Sequence, residues 1–198
     1  SQYAYALSIV FDSFYLPEGS KLYIFNSDYS IIYGAYTELN NNPNEVFATP
    51  LLMGDELIIE YSESVDAAQE HKLHIDYIIH DYRDIMNYNG VRDRNCGINV
   101  VCPEADPFED QINAAAFLDM GGYICSGSML NNTSQDLTPY FLTADHCVEG
   151  ENTGTFKFYF NYDTNSCGGG SASYGSYAYG SITRARSYDM DPDFALLE

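Results

Sequence analysis

The run Phe141-Leu142-Thr143-Ala144-Asp145-His146-Cys147 leads from an apolar strand pattern directly into a histidine and a cysteine. A second cysteine, Cys125, lies 22 positions before Cys147, in another stretch with strand character. A bond between these two sulfurs would tie the histidine turn to a strand and, in the chain-entropy model, would stabilise the fold by ~3 kcal/mol. A histidine held in this way suits general base catalysis, although a single histidine is more often structural.

The composition of the chain predicts an all-β protein. The 198 residues include 19 Tyr and 11 Phe but no Trp, together with many Ser, Thr, Asn and Gly. Such a mixture is typical of short strands joined by polar turns. A chain of this length forms either one large domain or two small ones.

The charge of the chain excludes two classes of partner. There are 29 acidic residues against 8 basic ones, a formal net charge of −21. This charge repels phosphate backbones and anionic membrane surfaces. No apolar run approaches the ~20 residues that a membrane-spanning helix needs. We therefore predict neither a nucleic-acid partner nor insertion into a membrane.

All five cysteines lie after residue 89, at Cys96, Cys102, Cys125, Cys147 and Cys167. None forms a Cys-x-x-Cys pair, so disulfides are a better interpretation than zinc. Disulfides favour a secreted, extracellular or cell-surface location. Because the number is odd, one sulfur is either unpaired or bonded to a partner outside this chain.

Two other groups of residues are weak candidates for a metal site. The first comprises three histidines on a strand pattern, and the second is a short acidic run without the later glutamate of a calcium loop. We predict no metal and no cofactor at either group, whose members are His71, His74 and His80, and Asp189, Asp191 and Asp193.

The first part of the chain has the pattern of a small antiparallel β-sandwich over residues 1–89. Turn residues such as Pro17-Glu18-Gly19 separate its apolar stretches. The predicted strands are Tyr3–Phe11, Lys21–Phe25, Ile31–Tyr33, Glu56–Tyr61 and Leu73–Ile79. The alternation of apolar and polar residues ends after Arg83, and we place a domain boundary near residue 90. Arg92 and Arg94 make this stretch either a processing site or an ordinary polar linker.

Several motifs resemble known proteases. The segment from Leu142 to Cys147 resembles the Thr-Ala-x-His-Cys signature of chymotrypsin-like serine proteases, and the run from Asp193 to Leu197 resembles their aspartate strand. Three more segments are similar to the secreted bacterial lysyl endopeptidases, namely Cys96–Glu104, Cys125–Thr133 and Tyr159–Tyr162. The resemblance implies that residues 90–198 are the first β-barrel of a chymotrypsin-like serine protease, with the second barrel absent.

The resemblance also implies roles for single residues. His146 would be the general base and Asp193 the carboxylate that orients it, acting on a polypeptide substrate. No Gly-Asp-Ser-Gly-Gly or Gly-x-Ser-x-Gly run occurs in the chain, so the nucleophilic serine would come from the missing half and this chain alone would be inactive. The implied disulfides are Cys102–Cys167 and Cys125–Cys147, which leaves Cys96 to bridge to that missing half.

The resemblance further predicts a strand after Asp106-Pro107, although these residues and the alanines at 114–116 have the local signals of a helix. A turn at Gly121-Gly122, a strand over Tyr123–Leu130 and a strand over Phe156–Tyr162 would follow. The Gly- and Ser-rich stretch from Cys167 to Ser181 predicts an exposed, flexible loop.

Three alternatives stay open at this stage. Asp145, which precedes the histidine, departs from the family pattern and is either exposed or close enough to the imidazole to favour its protonated form. The domain over residues 1–89 is either a pro-region or an accessory sandwich. The whole chain could also be a non-catalytic surface or binding protein that uses half of a protease as its scaffold.

Overall fold

A computed structural model describes residues 3–86, 98–170, 172–187 and 192–198. The chain divides into two compact units, Ser1–Ile85 and Met86–Glu198. The predicted boundary near residue 90 lies outside the described residues. None of the described helices is long and apolar enough to cross a membrane.

The first unit contains seven described strands in two antiparallel sheets. They are β1 (Ala6–Tyr15), β2 (Lys21–Asn26), β3 (Ile32–Tyr36), β4 (Phe47–Ala48), β5 (Leu52–Met53), β6 (Leu57–Ser62) and β7 (Lys72–Asp81). In one sheet β1 pairs with β7 along its length and with the short strands β4 and β5 along its other edge. The other sheet has the order β3-β2-β6. A one-turn 3₁₀ helix, Glu38–Asn40, is closed by a capping box with Thr37.

Aromatic side chains form the core between these two sheets. Phe14 stacks on Phe47 with ring centroids 4.3 Å apart, and Phe11 meets Phe14 edge to face at 5.6 Å. Tyr36, from the other sheet, packs edge-on against Phe47 at 4.8 Å. Because the two sheets bury these rings between them, the predicted antiparallel sandwich is confirmed.

The second unit is built on one seven-stranded antiparallel sheet with the order β14-β11-β8-β9-β10-β16-β15. Its strands, together with the separate pair β12 and β13, are β8 (Ala115–Asp119), β9 (Ile124–Leu130), β10 (Tyr140–Thr143), β11 (Lys157–Phe160), β12 (Asp163–Thr164), β13 (Ala172–Ser173), β14 (Ser176–Tyr179), β15 (Thr183–Arg186) and β16 (Ala195–Leu197). Three 3₁₀ helices, Pro103–Phe108, Asp145–Cys147 and Thr153–Thr155, and one α-helix, α1 (Glu109–Ala114), complete the described part of this unit.

The seven-stranded sheet is curved but not closed. Phe141 on β10 meets Phe158 on β11 edge to face at 4.9 Å, although two strands lie between β10 and β11 in the sheet. The sheet must therefore curl around a shared core, which includes Leu118, Phe156 and Leu197. The all-β prediction is confirmed, whereas the predicted barrel is an open curved sheet in the described residues, because its end strands β14 and β15 do not pair.

Two local predictions were wrong. Residues Glu109–Ala114 form α1, so the helix signals prevailed over the predicted strand, which begins only at Ala115. The stretch from Cys167 to Ser181 contains β13 and β14 rather than a continuous loop. In β14, Tyr177 and Tyr179 alternate with Ser176 and Ala178, and the whole strand pairs with β11.

Candidate functional site

His146 lies in a short 3₁₀ turn that directly follows β10. Cys147 in this turn is bonded to Cys125 on β9, the strand beside β10. On the same strand a β-carbon at Gly127 would lie 2.3 Å from the Leu142 carbonyl oxygen and 2.4 Å from the Phe141 ring. The absence of a side chain at Gly127 thus allows β9 and β10 to approach closely below the histidine turn.

Asp193 reaches His146 through the pairing of β10 with β16. In this antiparallel pair Thr143 lies opposite Ala195, so the residue two positions before Ala195 comes close to the turn that follows Thr143. The His146 Nδ1 atom lies 2.6 Å from Asp193 Oδ2, and the His146 backbone N–H donates to Asp193 Oδ1 at 3.1 Å. Both carboxylate oxygens are therefore used to hold the same residue.

The electrostatics of this pair determine which ring nitrogen carries a proton. Hydrogen bonds from the His146 imidazole and then from its backbone N–H hold the pKa of Asp193 below its ordinary value. An ionised carboxylate can only accept, so Nδ1 must be the donor and, in the neutral ring, Nε2 keeps the lone pair. The side chains of His146 and Asp193 are 57% and 35% exposed, so the pair is not buried within the unit.

Asp145 is buried and paired with an arginine, so it is not the exposed residue that one of the two alternatives required. Its side chain is 1% exposed and is held by a bidentate contact with Arg186 on β15. The Arg186 Nε and Nη2 atoms lie 2.5 and 2.9 Å from its two carboxylate oxygens. The negative charge before the histidine is thus paired with a guanidinium, and the pair fastens the histidine turn to β15.

Arg186 was missed by sequence reasoning because no local signal connects it with Asp145. The two residues are 41 positions apart. Arg186 lies opposite Ala195 in the pairing of β15 with β16, and β16 in turn pairs with β10. Only this strand order places the guanidinium beside the histidine turn.

A second disulfide joins Cys102 to Cys167. It holds the segment around Cys102 against the β12 and β13 hairpin. The Asn99 side chain makes a second contact there and donates to Thr164 Oγ1 at 2.6 Å. Both bonds, Cys102–Cys167 and Cys125–Cys147, are pairs that the family resemblance implied. Cys96, Asp189 and Asp191 lie outside the described residues.

The weak metal candidates do not form a common site in the described parts of the chain. His71 contacts Glu63 at 3.0 Å and His74 contacts Asp12 at 2.6 Å. The ligand-type group found in these parts is Cys125, His146 and Cys147, whose atoms lie within 4.8 Å of one another. Since its two sulfurs are bonded to each other, it offers one imidazole rather than three ligands.

Comparison with known proteins identifies the class to which the second unit belongs. The family model described as lysyl endopeptidase, C-terminal domain, matches residues 92–198. The chain therefore belongs to the lysyl endopeptidase family. Among curated proteins it is similar to a lysyl endopeptidase of Pseudomonas aeruginosa, with 26% identity over 142 residues. The match covers 64% of this chain and 30% of that relative.

Proposed function

We propose that this chain supplies the general base and its orienting carboxylate to a serine endopeptidase that cleaves polypeptides after lysine. His146 is the base, Asp193 is its partner, and the nucleophilic serine belongs to polypeptide outside the 198 residues. The family match supports the protease relationship and does not favour a non-catalytic binding protein. The relative from Pseudomonas aeruginosa carries the name lysyl endopeptidase, which is the source of the proposed lysine preference.

The double contact between Asp193 and His146 is the observation that carries the proposal. A histidine beside a carboxylate is not unusual by itself, since His74 and Asp12 also lie 2.6 Å apart in the first unit. The His146 pair differs because the second Asp193 oxygen accepts from the His146 backbone and because a disulfide adjoins the histidine. These constraints fix the ring relative to the sheet, as a general base requires.

The proposed mechanism is acyl transfer. His146 Nε2 would accept the serine proton during attack on the scissile carbonyl and later donate it to the leaving amine. Asp193 would keep the Nδ1 proton in place and stabilise the imidazolium that forms. The oxyanion-hole donors and the residues that read the substrate lysine are assigned to no position of this chain.

A secreted, extracellular or cell-surface location of the bacterial protein fits this function. Two disulfides in one unit of this size are typical of proteins from oxidising compartments. We propose that residues 1–89 are either a pro-region or an accessory domain and that residues 90–198 are the protease part. We also propose that Cys96 bonds to the serine-bearing polypeptide.

The proposal is tested by joining this chain to the part of the Pseudomonas aeruginosa relative that follows the matched region and measuring hydrolysis of a lysyl peptide. We expect Asp193→Asn to lower kcat by about 10⁴-fold, because the amide selects the wrong imidazole tautomer. His146→Ala should remove the general base, so that the only remaining hydrolysis is the slow rate that substrate binding without a base supports.

His74→Ala and Asp12→Asn are the matched controls, because they remove the same kind of contact in the first unit and should leave kcat unchanged. A fused enzyme that keeps its rate after His146→Ala would contradict the proposal. In the unfused chain, NMR of the imidazole provides a second measurement: a hydrogen-bonded Nδ1 proton on His146 should be present and should be lost in Asp193→Asn.

A further inference from the structure

Lysine is rare in this chain, and its three copies lie in very different surroundings. They are Lys21, Lys72 and Lys157. Because the chain belongs to the lysyl endopeptidase family, the accessibility of its lysines is informative, since each lysine marks a bond that such an enzyme could cut. Lys157 is the one lysine within the matched residues 92–198.

Lys157 is protected from proteolysis. Its side chain is 0% exposed, and its Nζ atom lies 2.9 Å from Oδ2 of Asp119, which is also buried. It sits on β11, which is flanked by β8 and β14 on its two edges. A protease must receive both the lysine side chain and an extended backbone, so cleavage after Lys157 requires this sheet to open.

Lys21 has an exposed side chain but a protected backbone. It begins β2, the central strand of its sheet, and its neighbours Ser20 and Leu22 are both 0% exposed. The Ser20 hydroxyl also accepts from the Ser64 backbone N–H at 3.1 Å. Cleavage after Lys21 would have to pull β2 away from both β3 and β6.

Lys72 has an exposed side chain and a backbone that is paired along one edge only, with Lys72 opposite Tyr15 and Leu73 opposite Phe14 on β1. Its side chain is 51% exposed, and it begins β7, which pairs with β1 on one edge only in the described part of the chain. Residues 63–71, which lead to it, contain only turns and bends. The side chains of residues 68–72 and 74–78 are exposed, with Leu73 half-buried between them.

Besides the pairing with β1, this segment is held by side-chain contacts at exposed positions, one of which joins His71 Nδ1 to Glu63 at 3.0 Å. Lys72 Nζ lies 2.6 Å from Glu45 Oε1, and the Tyr15 hydroxyl donates to Gln69 Oε1 at 2.5 Å. Exposed ion pairs of this kind add little stability. At Lys72 and Leu73 no described strand pairs with the second edge of β7, so a protease could pair with the backbone there as it does with an extended substrate.

We propose, resting on the lysyl endopeptidase function proposed above, that Lys72–Leu73 is the processing site of this protein and that the buried Lys157 protects the protease unit from its own activity. Hydrolysis breaks the C–N bond between Lys72 and Leu73, with water giving its hydroxyl to the Lys72 carbonyl carbon and its proton to the Leu73 nitrogen. The cut opens the first unit between β6 and β7 and leaves residues 92–198 intact.

Limited proteolysis of the full oxidised chain tests this site. A small amount of an added lysine-specific endopeptidase is used under native conditions. The products are then denatured and reduced before their masses are measured, because the Cys102–Cys167 bond would otherwise hold the two sides of a cut after Lys157 together. We expect the first products to be residues 1–72 and 73–198, whose masses together exceed that of the reduced chain by one water. Products that end at Lys157 should appear only when denaturant is added.

Lys72→Arg preserves the charge beside Glu45 but removes the lysine, and it should slow the first cut by about tenfold or more. The matched variant Lys21→Arg should leave the rate of the first cut unchanged. A first cut after Lys21 or Lys157 in the native chain, or an unchanged rate in Lys72→Arg, would overturn the assignment. Because the protease is added, an inactive fused enzyme would contradict the proposed function and leave the result at Lys72 standing.

Discussion

The ion pair between Asp145 and Arg186 provides a direct test of how the histidine turn is held. Removing the arginine, in Arg186→Met, leaves a carboxylate that is 1% exposed without its cation. Breaking a buried ion pair from one side costs about 3–5 kcal/mol. Since Arg186 is itself 16% exposed, the pair is not fully desolvated and we expect the low end of this range, about 3 kcal/mol.

The opposite truncation should be milder. In Asp145→Asn the amide oxygen can still accept one hydrogen bond from the guanidinium, and Arg186 can turn its remaining donors towards water. We expect a cost of about 1 kcal/mol. The double variant leaves no unpaired charge and should cost about 2 kcal/mol, less than the sum of the two single changes, because the two residues are directly coupled.

Hydrogen exchange of the β10 and β16 amides under native conditions measures these costs, because it reports the opening of the second unit separately from the first. Peptides that span β10 and β16 are followed by mass spectrometry in the wild-type chain and in the three variants. Two results would refute the reasoning: a cost for Asp145→Asn as large as that for Arg186→Met, or single costs that simply add in the double variant.

Two further predictions concern the second unit. Replacing both Cys125 and Cys147 by Ala should lower its free energy of unfolding by ~3 kcal/mol, because the bond closes a loop with a sequence separation of 22, and urea unfolding of the oxidised wild-type and variant chains without reductant measures this. Asp136 accepts from Thr138 and Asn132, which lower its pKa to about 2. The unfolded carboxyl titrates near ~3.9, so the stability that Asp136 contributes is present above about pH 4 and is lost as the pH falls towards 2. NMR titration of this carboxyl checks the pKa, and Asp136→Asn should remove this acid-dependent part of the stability, whereas a titration near the ordinary value would contradict the prediction.

Local sequence patterns were a good guide to most strands. The alternation of apolar and polar residues predicted β1, β2, β6 and β7, with differences of a few residues at their ends. Strand alternation is a local property, and turn residues that favour special backbone angles separate the strands along the chain. The two-residue strands β4 and β5 were not predicted, because so short a pairing leaves no periodic signal.

The family resemblance did not predict where the helix ends and β8 begins. The segment after Pro107 has helix signals at its start and strand character only from Ala115 onwards. The family resemblance favoured one long strand, and it was right only for the residues that pair with β9 and β11. Pairing partners, rather than intrinsic preference, determine where the strand begins.

The all-β class, the acidic character of the chain, and the histidine and aspartate of the candidate site could all be predicted from residues and motifs alone. Motifs identify such residues because the chemistry of a base and its carboxylate needs those side chains at any site of this kind. The fold was needed to show that Arg186 is paired with Asp145, that Lys157 is buried against Asp119, and that Lys72 is paired along one edge only among the described strands. These outcomes depend on strand order and register between residues tens of positions apart, and no local pattern in a single sequence encodes which strands become neighbours.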